Sequence, residues 1–582
     1  MSTSHGTTEW KKRSVVSSFI LKFDDAGQQQ PKVALFQRSD KVSTYQHHLA
    51  PVSGSIDTTD PSPLAAAWRE ISEETTLNPG SLTLLRQGKS YSFSDASVKR
   101  EWTIYPFLFR LKTPADEQRI TIDWEHEDWG WHDPDQVIKD ETYATKGVPR
   151  LAESLRRVWF ETDLGPEAGD VLSKALNTLA HDHESGARQL ADIALQTLRD
   201  IIPLLPSSHP EQWWHHLRTA AWHLSKNGRE SMGAAITSAL LSALAQLEPL
   251  VLRQSTSGQS RGPTAAHLQS PIPTTQILSN LTDILASRKE SSIASISTAF
   301  QSLLSTTAVP APAPAPGSSE SASRLVSILT LSESSTISQV LISSIPSSPN
   351  LAVNLYILES RPLFEGVSLA SSLLRSPLFS ESESESESKS NDRPLHKITI
   401  LPDTSPALAR SSSGLQIVLI GADRISSSGA VLNKMGSLPA ILTAKFLNPD
   451  VKVVVLGETG KIAPPSGPVV GGREESDGVP PSDSEEENDP TQVTRAWEAE
   501  YNSERVRRGA AELIGRNKND DSESDGSKTA RTVLEIRNVF FEWVPASLVD
   551  VYVTEKGVWS TKEIREHAER LGEEEQRLFG GL

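Results

Sequence analysis

Arg69-Glu70-Ile71-Ser72-Glu73-Glu74 sets three carboxylates within five positions, and Gly54 lies fifteen residues before that Arg. On a helix, side chains four apart share a face, so Glu70 and Glu74 point the same way while Arg69 reaches Glu73. Leu64, Trp68 and Ile71 recur at helical spacing and give the same helix a buried stripe. The product is an anchored helix with an acidic edge stiffened by an ion pair. A hard cation such as Mg²⁺ favours oxygen ligands of this sort and retains waters for a phosphate substrate. Taken alone, the hexapeptide would also suit a charged surface helix.

A second set of reactive residues follows a series of short apolar runs at 326–331, 351–358, 398–401, 417–420, 451–456 and 549–553, with helical patterns between most of them. Buried apolar strands alternating with helices indicate a parallel, doubly wound sheet, and ligands of such sheets bind beyond the carboxyl ends of the strands. Those ends carry Ser332 and Ser334, Glu359 and Arg361, Asp403, Gly421-Ala422-Asp423-Arg424, and Asn433-Lys434-Met435-Gly436. Arg361 and Lys434 suit a phosphate, Asn433 offers an amide to sugar hydroxyls, and the helix N-termini after the strands offer backbone N–H groups.

Gly54 with the acidic hexapeptide resembles the box of the Nudix hydrolases, in which a Gly and a Glu precede Arg-Glu-aliphatic-x-Glu-Glu-x-Gly-aliphatic. Gly54, Arg69, Glu70, Ile71, Glu73, Glu74 and Leu77 match it. Asp60 stands at the first Glu, one extra residue separates it from Arg69, and Thr76 replaces the late Gly. Strand-like segments at 15–23 and 33–37, the loop Ala50–Gly54, and Glu125-His126-Glu127 followed by Trp131 and Pro134 extend the likeness over about residues 10–160. The resemblance implies an α/β/α sandwich and Mg²⁺ (or Mn²⁺) held by Glu70, Glu74 and a backbone oxygen near Gly54. It also implies catalytic roles for Glu73 and Glu74, and hydrolysis of a nucleoside diphosphate-linked, ADP-ribose-like compound.

The Gly-Ala-Asp-Arg and Asn-Lys-x-Gly motifs are similar to those of the initiation factor 2B alpha/beta/delta family, which includes methylthioribose-1-phosphate and ribose-1,5-bisphosphate isomerases. Arg537-Asn538, Phe541-Glu542, Pro545 and Thr554-Glu555-Lys556-Gly557 extend the likeness, which covers roughly 185–575. It implies a Rossmann-like domain binding a ribose phosphate or nucleotide through Arg361, Asn433, Lys434, Ser332 and, on the helical domain, Arg229. The isomerases' catalytic Asp matches Asp423. Their Cys matches Ser332, whose hydroxyl stays protonated near neutrality, so binding is expected rather than isomerisation. A homodimer through the C-terminal domain and membership of an initiation-factor assembly are further implications. Two other readings of the whole chain are a regulatory relative of initiation factor 2B with a non-catalytic Nudix fold, and a sugar-phosphate isomerase.

The expected architecture is thus α/β and multidomain. A Nudix sandwich spans 10–160, a helical domain 165–308, a Pro/Ala/Ser linker 309–323 and a doubly wound parallel sheet 324–575. Polar segments at 380–390, 466–490 and 517–528 lack the apolar content to order themselves. A length of 582 residues suits about three or four domains. A net charge of -17 argues against a nucleic-acid surface, which needs basic stripes. The chain has no cysteine, which removes disulfides, zinc–thiolate sites and thiol catalysis. Without an apolar leader or an eighteen-residue apolar stretch, a cytoplasmic protein off the membrane is expected, with a nuclear presence left open. His181-Asp182-His183-Glu184 reads as a solvated turn, and His215-His216 as a helix face with polar tips outward.

Overall fold

The structure, a computed structural model, describes residues 10–23, 31–183, 185–206, 209–256, 272–288, 292–311, 324–345, 351–376, 396–409, 414–465, 486–519 and 535–582. Glu184, linker residues 312–323, segment 380–390, and 466–485 and 520–528 of the other two insertions lie outside the described residues. Among the described residues the chain divides into two compact units, Met1–Ala286 with Glu574–Leu582, and Ser287–Pro465 with Glu475–Glu573.

In the first unit, β1 (Lys11–Lys22), β2 (Lys32–Arg38), β3 (Leu49–Ala50), β4 (Leu82–Gln87), β5 (Tyr91–Asp95), β6 (Arg100–Leu111) and β7 (His126–His132) form one mixed sheet. Its order is β3-β2-β1-β6-β4, with β5 also pairing β6 and β7 pairing β2. Alternate side chains of a strand face opposite ways. One face of β1 and β6 therefore buries Val16, Ile20, Phe107 and Phe109 against Ala67 and Ile71 of α1 (Pro63–Thr75). The other buries Phe19, Leu21 and Leu108 against α2 (Pro134–Lys139) and α4 (Leu151–Arg156), with α3 (Glu141–Lys146) between them. This is the expected α/β/α sandwich.

Helix α1 starts where Ser62 accepts the Ala65 N–H at 3.1 Å, with Pro63 in its first turn. It ends at Thr76, at φ 63 in the left-handed region. That is the position of the box's late Gly, and it explains the glycine: a β-branched residue there is strained. Thr76 instead ties its hydroxyl to the Arg119 carbonyl at 2.8 Å.

Helices α5 (Glu161–Leu164), α6 (Pro166–His181), α7 (Ala187–Ile201), α8 (Pro210–Lys226), α9 (Gly233–Thr256) and α10 (Thr274–Ser287) follow, with α9 packed on α7 and α8. The expectation about apolar stretches needs correction, because Glu230–Val251 is long and apolar enough to cross a membrane by length and composition. In this unit 61% of that segment's apolar window is buried, as suits the central helix of a bundle. His216 also departs from expectation: it is buried, with Nδ1 3.3 Å from the Pro206 carbonyl, whereas His215 is exposed. Arg86 of β4 is the polar tie between sheet and helices. It pairs with Glu161 at 2.8 Å, donates to the Val158 carbonyl and Ser173 hydroxyl, and lies 4.0 Å from the Phe160 ring.

The second unit begins with α11 (Ser292–Thr307) and β8 (Val309–Pro310), and centres on a parallel sheet of β9 (Arg324–Leu331), β10 (Leu351–Leu358), β11 (Lys397–Leu401), β12 (Ile417–Ile420), β15 (Lys452–Leu456) and β17 (Val551–Thr554). These are the six apolar runs of the sequence. The order is β11-β10-β9-β12-β15-β17-β18, where β18 (Gly557–Trp559) returns antiparallel, so the direction of winding reverses between β9 and β12. Helices α12 (Ser335–Ser344), α13 (Glu365–Leu374) and α14 (Ser437–Leu447) connect strands, and β13 (Arg424–Ile425), β14 (Val431–Lys434) and β16 (Phe541–Val544) make a small second sheet. Helices α15 (Thr491–Arg495), α16 (Glu504–Asn519) and α17 (Thr561–Phe579) complete the chain.

Two insertions expected to lack order are partly ordered. Residue Glu487 bridges to Val539 and pairs with Arg537, and Asn488 donates to the Asn538 carbonyl at 2.9 Å. Residues 517–519 close α16. In the first case the partner lies some fifty positions away, where a local composition test does not look.

Arg86→Met leaves Glu161 without its cation and should cost about 3–5 kcal/mol, read as a lower denaturant midpoint. Replacing both residues by apolar ones should recover most of that loss.

Candidate active site

Arg69 organises the acidic helix. Its Nε and Nη2 donate to both oxygens of Asp60 at 3.0 and 2.8 Å, and Nη1 reaches Glu70 at 2.8 Å and Glu73 at 3.3 Å. Asp60, the shortened first acid of the box, is thus an anchor for Arg69, and that bidentate bond holds its carboxyl below the usual range. Nη2 also donates to the Ser55 carbonyl, which fixes the loop beside the helix.

Gly54 is required by close approach. A Cβ at that position would sit 1.9 Å from the Glu70 carboxyl group, while the Gly54 carbonyl accepts the Val16 N–H at 3.0 Å. Glu74, one turn on, is buried, and its Oε2 lies 2.6 Å from Nε2 of the equally buried His126 at the start of β7. Its Oε1 is buried with no hydrogen-bond partner among the described residues. Burial lifts the Glu74 carboxyl well above the usual range and lowers the His126 imidazole to about 4. Burial also raises Glu70 and the half-buried Glu125.

Glu70, Glu125, Arg38 and Gly54 line a cavity of about 320 Å³. Tyr91, Phe93 and Trp102 also line it. Glu73 is more exposed and turned to Arg69. Among the described residues no three His, Asp or Glu side chains converge as a metal centre. Mg²⁺ asks for less, since one or two carboxylates with waters and substrate phosphates complete its shell. The buried, unpartnered Oε1 of Glu74 and the Glu70 carboxylate beside Gly54 fit that requirement.

In the second unit, Ser332 and Lys434 converge on Glu365: Lys434 Nζ lies 2.7 Å and the Ser332 hydroxyl 3.5 Å from the same Oε2. Ser332 follows β9 in the left-handed region at φ 65, and its N–H donates to the Ser360 hydroxyl at 2.7 Å. Asn433 donates to the Ser437 hydroxyl at 2.9 Å. Its amide oxygen and the Ser334 hydroxyl close on Gly421, where an added Cβ would meet them at 3.5 and 3.3 Å. These residues sit where the winding reverses. Asp423 joins them through its N–H to the Leu432 carbonyl, which pairs it with the strand that carries Asn433.

Three sequence expectations take a different form here. Arg361 is half-exposed and paired with Glu359 at 2.7 Å, while its N–H donates to Asp403. The N-terminus of α14, expected to offer free donors, already gives the N–H groups of Gly436 and Leu438 to Glu542. Arg229 lies in the first unit, buried, donating to the Asp182 carbonyl at 2.9 Å.

The sequence matches the family model described as NUDIX domain over residues 13–158. Residues 13–158 are a NUDIX domain. Residues 398–561 match the Initiation factor 2 subunit family. No curated protein matches the chain. Among solved structures, translation initiation factor eIF-2B of Pyrococcus horikoshii OT3 is 18% identical, covering 68% of this chain and 97% of its own, at a TM-score of 0.36. The eIF2B-beta2-delta2 complex of C. thermophilum is similar at 13% identity, 70% and 94% coverage and a TM-score of 0.39. The 5-methylthioribose 1-phosphate isomerase of P. horikoshii OT3 is similar at 14%, 69% and 87%, and 0.38. Identities this low carry nothing about function.

Glu125, Arg38, His126 and the aromatic lining were not singled out as site residues from the sequence. Glu125 and His126 were within reach, as members of the Glu-His-Glu motif. His126→Ala should weaken Mn²⁺ binding about 10–100-fold in calorimetry, the usual effect of removing a group that orients a metal ligand. Gly54→Ala should abolish that binding by expelling the Glu70 carboxylate, with the circular dichroism spectrum unchanged.

Proposed function

We propose that the NUDIX domain hydrolyses the diphosphate of a nucleoside diphosphate-linked, ADP-ribose-like compound with Mg²⁺ or Mn²⁺. The observation that carries this reading is Glu74, a buried carboxyl group with one oxygen fixed by His126 and the other unpartnered. Glu70 and Glu74 would hold the cation. When bound, it neutralises phosphate charge and acidifies a water. Arg69 keeps the helix and the Asp60 loop in register, and Arg38 at the cavity rim faces phosphate oxygens. Glu125, whose carboxylate accepts no hydrogen bond among the described residues, takes the proton of the attacking water, a role suited by its raised pKa.

The second unit, in the same proposal, binds a ribose phosphate or nucleotide beside Asp423 and Asn433, with Lys434 and Arg361 exchanging their carboxylate partners for the phosphate. Without a thiol at Ser332 it senses rather than isomerises. Its α14 exposes Leu442 and Phe446, the latter 87% accessible, a surface suited to pairing with a second copy.

Glu74→Gln should abolish cleavage while preserving the melting temperature. A wild type that cleaves no nucleoside diphosphate compound with either metal refutes the assignment. Ribose 5-phosphate at millimolar concentration should raise the melting temperature of the full chain, and Lys434→Ala with Arg361→Ala should remove that rise. Phe446→Glu should shift the protein toward monomer in size-exclusion chromatography.

A further inference from the structure

Residues Glu574–Leu582 belong to the first compact unit, although they lie beyond both family matches, which end at 158 and 561. Leu578 and Phe579, at the end of α17, are buried. Glu575 pairs with Lys226 at 2.7 Å, Arg577 pairs with Glu248, and the Leu578 carbonyl accepts from Arg218 Nη1 at 2.9 Å. Those partners belong to α8 and α9. A further tie reaches the NUDIX domain itself, where Nη1 of Arg157 donates to the Leu582 carbonyl at 3.3 Å.

Arg157 connects that segment with the cavity of Glu70 and Glu125. The same Nη1 donates to the Lys89 carbonyl at 3.2 Å, Nη2 donates to Glu153 at 3.2 Å, and the guanidinium lies 4.4 Å from the Tyr91 ring centroid. Tyr91 and Ser154 of α4 both line the cavity, with their hydroxyls 2.7 Å apart. Tyr91 opens β5, which among the described strands pairs with β6 alone. An edge strand is held on one side only, and Arg157 adds a hydrogen bond just before it and a cation on its first ring. The approach is close, since a Cβ at Gly88 would sit 2.8 Å from the Arg157 carbonyl. Charge sets a second condition. Burial first, and then the Arg157 charge, holds Lys89 below the usual lysine range, while Glu575 opposes that shift. Two neighbouring cations thus draw their relief from an acid of the distant segment.

We infer that Arg157 is a positioning residue for the NUDIX cavity, holding Tyr91 and β5 against α4, and that residues Glu574–Leu582 in turn hold Arg157. Calling that cavity the substrate's rests on the proposed hydrolysis; the positioning itself does not. With the segment displaced, Arg157 loses an acceptor and Lys89 its nearby acid, so β5 is released. The acidic helix, braced separately by Arg69 and Asp60, stays in place.

Amide hydrogen exchange on the full chain reads the positioning, and turnover of ADP-ribose with Mg²⁺ reads its use. Deleting residues 580–582 removes the Leu582 acceptor and keeps the buried Leu578 and Phe579, whereas Arg157→Met removes the guanidinium and keeps an apolar stem. Each should speed exchange over residues 89–95 roughly ten- to hundredfold, the factor for losing a hydrogen bond to a charged group, and leave residues 126–132 unchanged. The deletion should add nothing to Arg157→Met, because the segment acts through that side chain; a segment that merely stabilised the fold would add its own effect. Both variants should raise KM for ADP-ribose roughly tenfold at unchanged kcat, as loss of a placed cavity wall does. Unchanged exchange over 89–95 in both single variants, an equal rise over 126–132, or additive effects in the combination overturns the inference. So does a normal KM in a variant whose β5 exchanges faster. A wild type that cleaves no diphosphate, with the exchange pattern as expected, removes the hydrolase and leaves the hold on Arg157 and β5 standing.

Discussion

The first unit's chemistry depends on one guanidinium. Arg69 is tied to Asp60 by two hydrogen bonds, to Glu70 and Glu73 by one each, and to the Ser55 carbonyl. It thereby joins the loop, the helix start and the helix's acidic edge into one rigid piece. Three carboxylates brought together without it would repel, and the Glu70 carboxylate would have no reason to press against Gly54. Glu74 escapes the network because it faces inward, where His126 takes over its orientation. Asp60, Glu70 and Glu73 share Arg69 while Glu74 meets His126, so near-identical side chains acquire different electrostatic states.

The two units treat charge in opposite ways. At the first site Glu125, Arg13 and Arg100 have no ion-pair partner among the described residues and line one cavity. At the second, Lys434 meets Glu365, Arg361 meets Glu359, and the α14 N-terminus meets Glu542. The first arrangement is unfinished until something charged arrives. The second is complete as it stands.

Much of this was legible in the chain. The acidic hexapeptide announced the helix, and every apolar run beyond residue 324 became a strand, because a strand buried on both faces leaves a continuous apolar signature. Thr76 was legible as a departure, though its left-handed backbone was not. What stayed hidden depends on register. Residues Arg13, Phe93 and Trp102 line one cavity only because β1, β6 and β5 pair as they do, and nothing local in any of the three segments predicts that alignment. The Lys434–Glu365 pair was hidden for the same reason: a lysine at a strand end looks available until the fold supplies its carboxylate.

The carboxylate of Glu365, shared by Lys434 and Ser332, would make phosphate binding at the second site an exchange. A phosphate there would not fill an empty cationic seat; it would replace an anion already present and gain only the difference between the two. Displaced, Glu365 at the first turn of α13 would need water or another donor. A phosphate site of this kind would saturate later than one whose lysine is unpaired.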